Sequence, residues 1–362
     1  MKILHIAAYN NLFFNGVYSV LAELTKEQLA LGHQVIILNI DNNEGKMLPI
    51  EQKAGSQQDF HQLIENYQPD IAILHGIYKR CYIGYVRTLD DHHIPYLAEP
   101  HGGTSRSNAR KSPIKKWIGR LLIGNRLISH AKAVIYLNQK EADECIYQRQ
   151  RQDYVIIPNG VGNMPSKPQS TWHEPVKFIF LARIDIDQKA LDLLFPAIKL
   201  FNSKGNKGKA EFHFYGKARM PEYITAFDNY IKEADDNVIY HGPVFGEDKI
   251  KAYHASDVFV LTSRYEGMPM SVLEALACGL PCLLTPQTNM ADLIEQNHCG
   301  WITSLDVNAI AESLQRIVAD YPTVAKDFSE KARQAVVQYS WNNIAKKSIS
   351  CYTSFGLIKK KQ

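Results

Sequence analysis

Short, continuous apolar runs alternate with helical stretches along almost the whole chain. Such runs, when helices separate them, are typical of parallel sheets that are covered by helices on both faces. The pattern therefore predicts an α/β protein whose strands are mostly buried. The candidate strands are Ile3–Ala8, Gln34–Ile40, Ile71–His75, Tyr96–Glu99, Ala133–Leu137, Tyr154–Ile157, Lys177–Leu181, Glu211–Tyr215, Val238–Tyr240, Val258–Thr262 and Pro281–Thr285.

The length of 362 residues predicts more than one domain, because single cores usually split beyond about 250–300 residues. The best linker candidate is Gly160–Pro175, which is rich in Gly, Pro, Ser and Asn and has little periodicity. The alternation of strands and helices starts again at Lys177. We therefore expect two doubly wound α/β domains of similar size, spanning residues 1–165 and 170–340.

The composition is that of a globular protein, with 45% hydrophobic and 22% charged residues. No apolar run approaches the roughly 18 residues that a membrane-spanning helix needs, and the first residues do not form a signal-peptide pattern. We therefore expect a cytoplasmic protein. The six cysteines lack the spacing of a zinc site, so they are predicted to be small buried thiols rather than metal ligands or disulfides.

The segment 263–281 is the most informative part of the sequence. A predicted strand ends at Thr262, and a loop leads into a helix whose N-terminal N–H groups suit a phosphate. Glu266 lies in the loop and Glu274 lies in the helix, so that the two carboxylates could bind different hydroxyl-bearing parts of one ligand. The alternative is a capped surface helix with two solvated glutamates.

A second pair of charged residues follows the predicted strand 177–181. Arg183 leaves the carboxyl end of this strand, and Lys189 opens the next helix. Two fixed cations at such a place could meet across a diphosphate, since arginine offers a forked donor and lysine a point charge. The alternative is two unrelated surface bases.

These motifs resemble the retaining glycosyltransferase family 4, whose hallmark is a pair of glutamates with the spacing of Glu266 and Glu274. The resemblance implies the GT-B fold, in which two Rossmann-like, doubly wound domains face a cleft. It implies that Glu266 lies near the transferred sugar and that Glu274 binds the ribose hydroxyls of the donor nucleotide. Arg183 and Lys189 would clamp the donor diphosphate. Ala190 departs from the family pattern, which often has glycine at this position.

The same resemblance implies further donor-site residues. Gly216 and Val244 follow strands beside the expected nucleotide pocket, and Gly16 lies in the loop after the first strand, where the family usually has one or two glycines. An ordinary turn glycine remains the alternative for Gly16. The complete set of candidates for nucleotide-sugar binding is Gly16, Gly216, Val244, Glu266, Gly267, Met268, Pro269, Met270 and Glu274.

His101 is the fourth candidate for the catalytic site, beside Arg183, Lys189 and Glu266. It lies in the loop Pro100–Gly103, which is similar to a family loop whose histidine reaches a hydroxyl of the transferred sugar. The alternative is a satisfied structural histidine, and the other histidines show no ligand spacing along the sequence. A helix at 341–358 resembles the closing segment of the family, which packs back on the N-terminal domain.

The activity that the resemblance implies is transfer of a sugar from a nucleoside-diphosphate sugar, UDP rather than GDP, to a hydroxyl acceptor with retention of configuration. The expected acceptor is a lipid-linked saccharide of bacterial cell-surface polysaccharide synthesis. No cofactor and no metal are expected, because no Asp-x-Asp motif stands at a strand end. The alternatives are a UDP-sugar 2-epimerase of the same fold and a non-catalytic nucleotide-sugar-binding subunit. The absence of Gly-x-Gly-x-x-Gly counts against a dinucleotide oxidoreductase.

Basic residues are concentrated in the segment 106–132. No acidic residue occurs between Glu99 and Glu141, whereas eight basic residues occur from Arg106 to Lys132. A helix from Pro113 would be basic and amphipathic, which suits peripheral contact with an anionic membrane, whereas nucleic-acid binding lacks an aromatic recognition pattern. An ordinary domain helix is the alternative. Its apolar side would carry Ile114, Trp117, Ile118, Leu121 and Ile128, flanked by Lys115, Lys116, Arg120 and Arg126.

Overall fold

A computed structural model describes residues 1–9, 16–41, 47–53, 56–77, 79–103, 124–146, 153–167, 174–218 and 220–356. The chain divides into two compact units. The first consists of Met1–Gly160 and Trp341–Gln362, and the second consists of Val161–Ser340.

The first unit is built on a seven-stranded sheet in which all neighbouring strands are parallel. Its strands are β1 Lys2–Ala7, β2 Gln34–Asn39, β3 Glu51–Lys53, β4 Ile71–His75, β5 Tyr96–Glu99, β6 Ala133–Tyr136 and β7 Tyr154–Ile156. They lie in the order β3-β2-β1-β4-β5-β6-β7. The described helices before the second unit are α1 Gly16–Ala30, α2 Gln57–Tyr67, α3 Tyr82–Asp91, α4 Asn125–His130 and α5 Gln139–Asp143.

The second unit contains a six-stranded parallel sheet. Its strands are β8 Val176–Leu181, β9 Ala210–Tyr215, β10 Val238–Gly242, β11 Val258–Leu261, β12 Cys282–Leu284 and β13 Gly300–Ile302, in the order β10-β9-β8-β11-β12-β13. Its α-helices among the described residues are α6 Leu191–Phe201, α7 Pro221–Glu233, α8 Gly246–His254, α9 Met270–Cys278, α10 Ala291–Asn297 and α11 Val307–Val336.

The last helix, α12 Trp341–Gly356, belongs to the first unit and packs along α1. Trp341 lies against the backbone of Gly160, where an added Cβ would stand 2.5 Å from the indole ring. Gly160 is therefore needed because the ring approaches the backbone closely. Farther along the same two helices, Gln28 donates a hydrogen bond to Ser348.

The α/β fold class predicted from the sequence is confirmed. Each predicted strand coincides with an observed strand, with ends that differ by no more than two residues. The apolar pattern did not reveal β3 and β13, which have three residues each. In β13, an added Cβ on Gly300 would lie 2.1 Å from the carbonyl oxygen of Cys282, so this glycine marks a close approach of two backbones.

The cysteines and the basic segment differ from what the sequence predicted. Cys81 is exposed and Cys351 is only partly buried, which corrects the prediction that all the cysteines are buried, although all six thiols are free. Ile128 was expected on the outward apolar side of a basic helix, but it is fully buried in the core of the first unit. The rest of that apolar side, and Lys115, Lys116 and Arg120 with it, lies outside the described residues. Among the described helices, none has the length and apolar composition needed to cross a membrane.

Candidate functional site

The loops that follow β8, β11 and β12 meet at one edge of the second sheet. These strands are parallel neighbours, so their carboxyl ends lie together, where open α/β sheets bind ligands. The Arg264 N–H donates to the carbonyl of Gln188 over 2.8 Å, and the Glu266 N–H donates to the carbonyl of Gln287 over 3.1 Å. The side-chain amide of Asn289 donates to the Glu266 carbonyl over 2.7 Å. Hydrogen bonds thus join all three loops around Glu266.

Lys189 and Glu266, two of the predicted catalytic residues, form a buried ion pair. The Lys189 Nζ lies 2.5 Å from Glu266 Oε1, and each side chain is 9% exposed. The Ser263 hydroxyl donates to the same oxygen over 2.7 Å, and Gln188 Nε2 lies 3.4 Å from Oε2. Charges removed from water in this way are stable only when paired and hydrogen-bonded, so each of the two holds the other in place.

Arg183 reaches the pair through Gln188. Its guanidinium donates to Gln188 Oε1 over 2.7 Å and lies 3.6 Å from Asp185, and its side chain is 45% exposed. The structure therefore links Arg183 to Glu266 through an amide that the sequence analysis did not single out. Its place in the sequence between Arg183 and Lys189 could have indicated that Gln188 belongs to the site.

Glu274 is held by two residues of α8. Lys249 donates to Oε1 over 2.6 Å, and the Tyr253 hydroxyl donates to Oε2 over 3.0 Å. Burial, together with the Glu274 charge, raises the pKa of Tyr253 well above its ordinary value, so this hydroxyl remains a donor. A carboxylate has about four acceptor positions, so Glu274 can still accept bonds from ligand hydroxyls. Lys249 and Tyr253 were missed because nothing in the sequence places α8 against α9.

The N-terminus of α9 separates the two glutamates. The helix begins at Met270 after Pro269, which has no side-chain oxygen that could cap it. Its first N–H groups therefore form a suitable position for an anion. The Met268 side chain is buried, so only the backbone of the predicted stretch 267–269 is suited to contact a ligand there.

Gly216 lies where the backbone leaves β9. Its φ of +147° is unfavourable for other residues, and an added Cβ would stand 1.9 Å from the carbonyl oxygen of Ala182. The close approach of the backbone at Gly216 to the backbone at Ala182 therefore requires glycine. Val244 is partly buried in the loop after β10. Ala190 also has a left-handed backbone, with φ of +51°, which explains why glycine suits this position better.

Gly16 is placed differently from Gly216. It is the first residue of α1, and an added Cβ would meet nothing within 4 Å. The described surroundings of Gly16 therefore do not require glycine. The remainder of the predicted loop, residues 10–15, lies outside the described residues.

His101 stands at the end of a row of histidines in the first unit. His5 Nδ1 lies 2.9 Å from His75 Nε2, and His75 Nδ1 lies 2.8 Å from His101 Nε2. Glu99 lies beside the row, 3.2 Å from His75 Nδ1 and 3.6 Å from His101 Nδ1. The sequence did not show this cluster because its members are far apart along the chain. They meet because β1, β4 and β5 are parallel neighbours.

Burial sets the protonation of this row. Burial lowers the pKa of His5 and His101 to about 4. It lowers the pKa of His75 well below its ordinary value, and the neighbouring histidines lower it further. Burial, with a smaller effect of Glu141, raises the pKa of Glu99 to about 8. At neutral pH the three rings and the carboxyl are therefore predominantly uncharged.

Two groups of described residues have the ligand types of a metal site. His75, Glu99 and His101 bring their ligand atoms within 4.8 Å of one another, as do His61, Glu65 and His92. The first group is mostly buried and the second is mostly exposed. In the first group, both ring nitrogens of His75 already face other histidines at hydrogen-bond distance.

We predict that the stability of the first unit has a maximum near a pH of about 6.5. Its histidines bind fewer protons when folded, so stability is lost as pH falls from 6.5 towards 4. Glu99 binds more protons when folded, so stability is lost as pH rises from 4.5 towards 8. Hydrogen exchange of the β1 and β4 amides measures this dependence. Glu99→Gln should reduce the alkaline decline, to which Glu141 also contributes because burial raises its pKa. A decline of unchanged size in this variant would contradict the assignment.

Comparison with known proteins identifies the class. Residues 14–162 match a family model described as Glycosyltransferase Family 4, and residues 175–320 match one described as Glycosyl transferases group 1. The structure of HepE from Anabaena with UDP and glucose has a TM-score of 0.78 at 16% identity, over 98% of this chain and 100% of that one. The chain has the GT-B fold. It belongs to the family 4 glycosyltransferases, as the two matches cover most of the chain.

Curated relatives match over part of their length. An uncharacterized glycosyltransferase of Methanocaldococcus jannaschii is 24% identical over 227 residues, which are 59% of this chain and 57% of that protein. The UDP-Gal:alpha-D-GlcNAc-diphosphoundecaprenol alpha-1,3-galactosyltransferase of Escherichia coli is 36% identical over 84 residues, which are 23% of this chain and 21% of that protein. The chain thus spans little more than half of the first relative and about a fifth of the second.

Proposed function

We propose that this glycosyltransferase moves a sugar from a UDP-sugar to a hydroxyl of a lipid-linked saccharide, with retention of configuration, in bacterial surface-polysaccharide synthesis. The observation that carries the proposal is the arrangement at α9. The carboxylates of Glu266 and Glu274, each paired with a lysine, lie on either side of the N-terminus of α9. The N-cap residue of this helix, Pro269, makes no side-chain hydrogen bond to it. This arrangement offers hydroxyl acceptors on either side of a position for phosphate. The names of the HepE complex and of the Escherichia coli relative, which mention UDP and a diphosphoundecaprenol, agree with it.

Each site residue has a role in this proposal. Glu274 accepts hydrogen bonds from the ribose hydroxyls, and Gly216 and Val244 border the base. Arg183, Lys189 and the backbone of 267–270 bind the diphosphate. Glu266 faces the transferred sugar, and Gly16 allows backbone to approach the substrate. In the first unit, His101 hydrogen-bonds a hydroxyl of the sugar substrate.

The chemistry requires stabilisation of a departing diphosphate. The bond between the anomeric carbon and the phosphate oxygen breaks, and the electron pair leaves with the diphosphate. The acceptor oxygen then bonds to the same face of the oxocarbenium-like sugar, and its proton passes to the leaving phosphate. Lys189 has three N–H donors, of which Glu266 takes one, so two remain for phosphate oxygens. Fixed donors of this kind need no reorganisation as charge develops.

The donor test is a panel of UDP- and GDP-sugars without and with EDTA. We expect UDP-sugars to stabilise the protein against thermal unfolding, by about 2.7 kcal/mol at 100 times the dissociation constant. We expect nucleotide release to require an acceptor and to proceed at the same rate in excess EDTA. Loss of activity in EDTA with rescue by Mn²⁺ would contradict the proposed neutralisation of the diphosphate. Isomerisation of the donor without an acceptor would instead indicate an epimerase.

Lys189→Met should reduce kcat/KM by about 10²–10³-fold, because it removes a donor from the leaving group. Its matched control is Lys167→Met, which breaks another largely buried ion pair of the second unit. Lys167 lies 2.8 Å from Asp257, with exposures of 17% and 10%. Asp257 immediately precedes β11, at the end opposite to the site. Both variants should unfold more easily, but Lys167→Met should keep its activity. Equal activities of the two variants would remove Lys189 from the donor site.

Membrane docking through the segment 106–132 is part of the proposal, since its acceptor is lipid-linked. Because Ile128 is buried, it is not part of an exposed apolar helix side, and the proposed membrane docking depends on the basic residues of the segment. Each basic residue near an anionic surface is worth about 1 kcal/mol. We expect sedimentation with anionic vesicles at low salt, and its loss in Lys115→Glu/Lys116→Glu/Arg120→Glu.

The control for this experiment is Lys199→Glu/Lys326→Glu/Lys346→Glu, which makes the same change of charge at exposed lysines elsewhere. It should sediment like the wild type. If the wild type stays in the supernatant, or if both triple variants sediment equally, membrane docking through this segment is wrong.

A further inference from the structure

A continuous chain of hydrogen bonds leads from the last helix to His101. The proposed transfer chemistry uses His101, but it does not use the groups behind it. The links are Ser348 Oγ to Ala345 O at 2.8 Å, Gln28 Nε2 to Ser348 Oγ at 3.2 Å, His5 Nε2 to Gln28 Oε1 at 3.0 Å, His5 Nδ1 to His75 Nε2 at 2.9 Å and His75 Nδ1 to His101 Nε2 at 2.8 Å. Gln28, His5, His75 and Ser348 are almost inaccessible to solvent.

The first link sets the direction of the chain. A serine hydroxyl has one proton, and Ser348 donates it to the carbonyl of Ala345. The Ser348 oxygen accepts its bond from Gln28, and Tyr352 of the same helix also hydrogen-bonds both side chains. The amide nitrogen of Gln28 therefore faces α12, and its amide oxygen faces His5. An amide oxygen only accepts, so the facing His5 Nε2 carries a proton.

The remaining directions follow from the neutrality of the rings. A neutral imidazole has one N–H, and burial keeps the pKa of each of the three rings below its ordinary value. His5 uses its proton on Gln28, so its Nδ1 accepts from His75 Nε2. His75 has then used its proton, so its Nδ1 accepts from His101 Nε2. Glu99 Oε2 also lies 3.2 Å from this nitrogen, and as a neutral carboxyl it donates to the same lone pair. His101 is left with a lone pair on Nδ1, and Glu99 Oε1, at 3.6 Å, lies beyond hydrogen-bond distance from it.

The backbone of His101 is held from the other side. Its φ of +51° is in the left-handed region, which costs a non-glycine residue on the order of 1 kcal/mol and persists only where the surroundings impose it. The next N–H, that of Gly102, donates to Glu141 Oε1 over 2.6 Å. Glu141 Oε2 accepts the N–H of Leu137 over 2.8 Å. The ring and the backbone of His101 are thus fixed by separate sets of buried groups.

We propose that Gln28, His5 and His75 are positioning residues that lock the His101 ring in one tautomer, with its proton on Nε2 and an acceptor lone pair on Nδ1. This inference rests on the proposed function, in which His101 contacts a sugar hydroxyl. It adds that His101 recognises this hydroxyl as a hydrogen-bond donor. A site built to hydrogen-bond a hydroxyl discriminates strongly against ligands that cannot make the bond.

The first test is spectroscopic and does not depend on activity. Protein labelled with ¹⁵N-histidine gives different long-range ¹⁵N–¹H patterns for protonated and bare ring nitrogens. At neutral pH, we expect the proton on Nε2 in His5, His75 and His101 alike. A proton on Nδ1, or averaging between tautomers, in any of the three would overturn the lock.

The second test removes the group that sets the direction. Gln28→Leu should produce mixed tautomers in all three histidines, and Ser348→Ala, a milder change that lets the Gln28 amide turn, should do so in part. The matched control is Thr88→Val, which removes the Thr88 hydroxyl that accepts from Gln57 over 3.0 Å in the same unit. Its histidine spectrum should remain that of the wild type. Unchanged tautomers in both Gln28→Leu and Ser348→Ala would overturn the proposal.

Kinetics complete the test. Gln28→Leu should lower kcat by about 10- to 100-fold, as misplacement of a substrate-contacting group does, whereas the Kd of UDP stays unchanged. Thr88→Val should change neither quantity. Mixed tautomers with an unchanged kcat would overturn the positioning role. A wild type with locked tautomers but no transferase activity would contradict the proposed function and leave the lock itself standing.

Discussion

The buried ion pair of Lys189 and Glu266 is the interaction on which the candidate donor site depends. It joins the loop after β8 to the loop after β11, and Gln188 extends it to Arg183. Removal of either partner would leave a buried charge, which is among the most destabilising changes a protein can undergo. The pair therefore keeps the lysine in place when no ligand is bound. Lys189 keeps two N–H donors that Glu266 does not use, so its ammonium group is preorganised to bind an anion.

The two units fix their polar groups by opposite electrostatic means. In the second unit, Glu266 and Glu274 each face a lysine, so charges compensate charges. In the first unit, burial keeps His5, His75 and Glu99 mostly neutral, and hydrogen bonds orient them. The paired charges of the second unit suit the stabilisation of a charged leaving group, because their lysines provide a strong electrostatic field. The neutral groups of the first unit suit recognition of a hydroxyl, since a neutral histidine distinguishes donors from acceptors.

The sequence predicted what depends on short-range pattern. Strand positions followed from apolar runs. Glu266 and Glu274 became candidates because they lie after a strand end and in the helix that follows it. Contacts made across the fold were not predictable in this way. Lys249 reaches Glu274 because α8 packs beside α9, and His5 reaches His75 because β1 pairs with β4. Neither pairing can be derived from residue spacing in one sequence. The identity of the transferred sugar was equally beyond reach, because it depends on where several loops meet.

The return of the last helix to the first unit has a consequence for His101. Ser348 on α12 orients the Gln28 amide across a separation of 320 residues. The direction of the whole histidine row starts at that hydroxyl, because the other members are amides or imidazoles that could be turned around. Ser348 donates to the carbonyl one helical turn earlier, and Tyr352 of the same helix also hydrogen-bonds Ser348 and Gln28. Docking of α12 therefore does more than cover apolar surface. It supplies the hydroxyl groups that orient the Gln28 amide and thereby decide which nitrogen of His101 accepts a hydrogen bond.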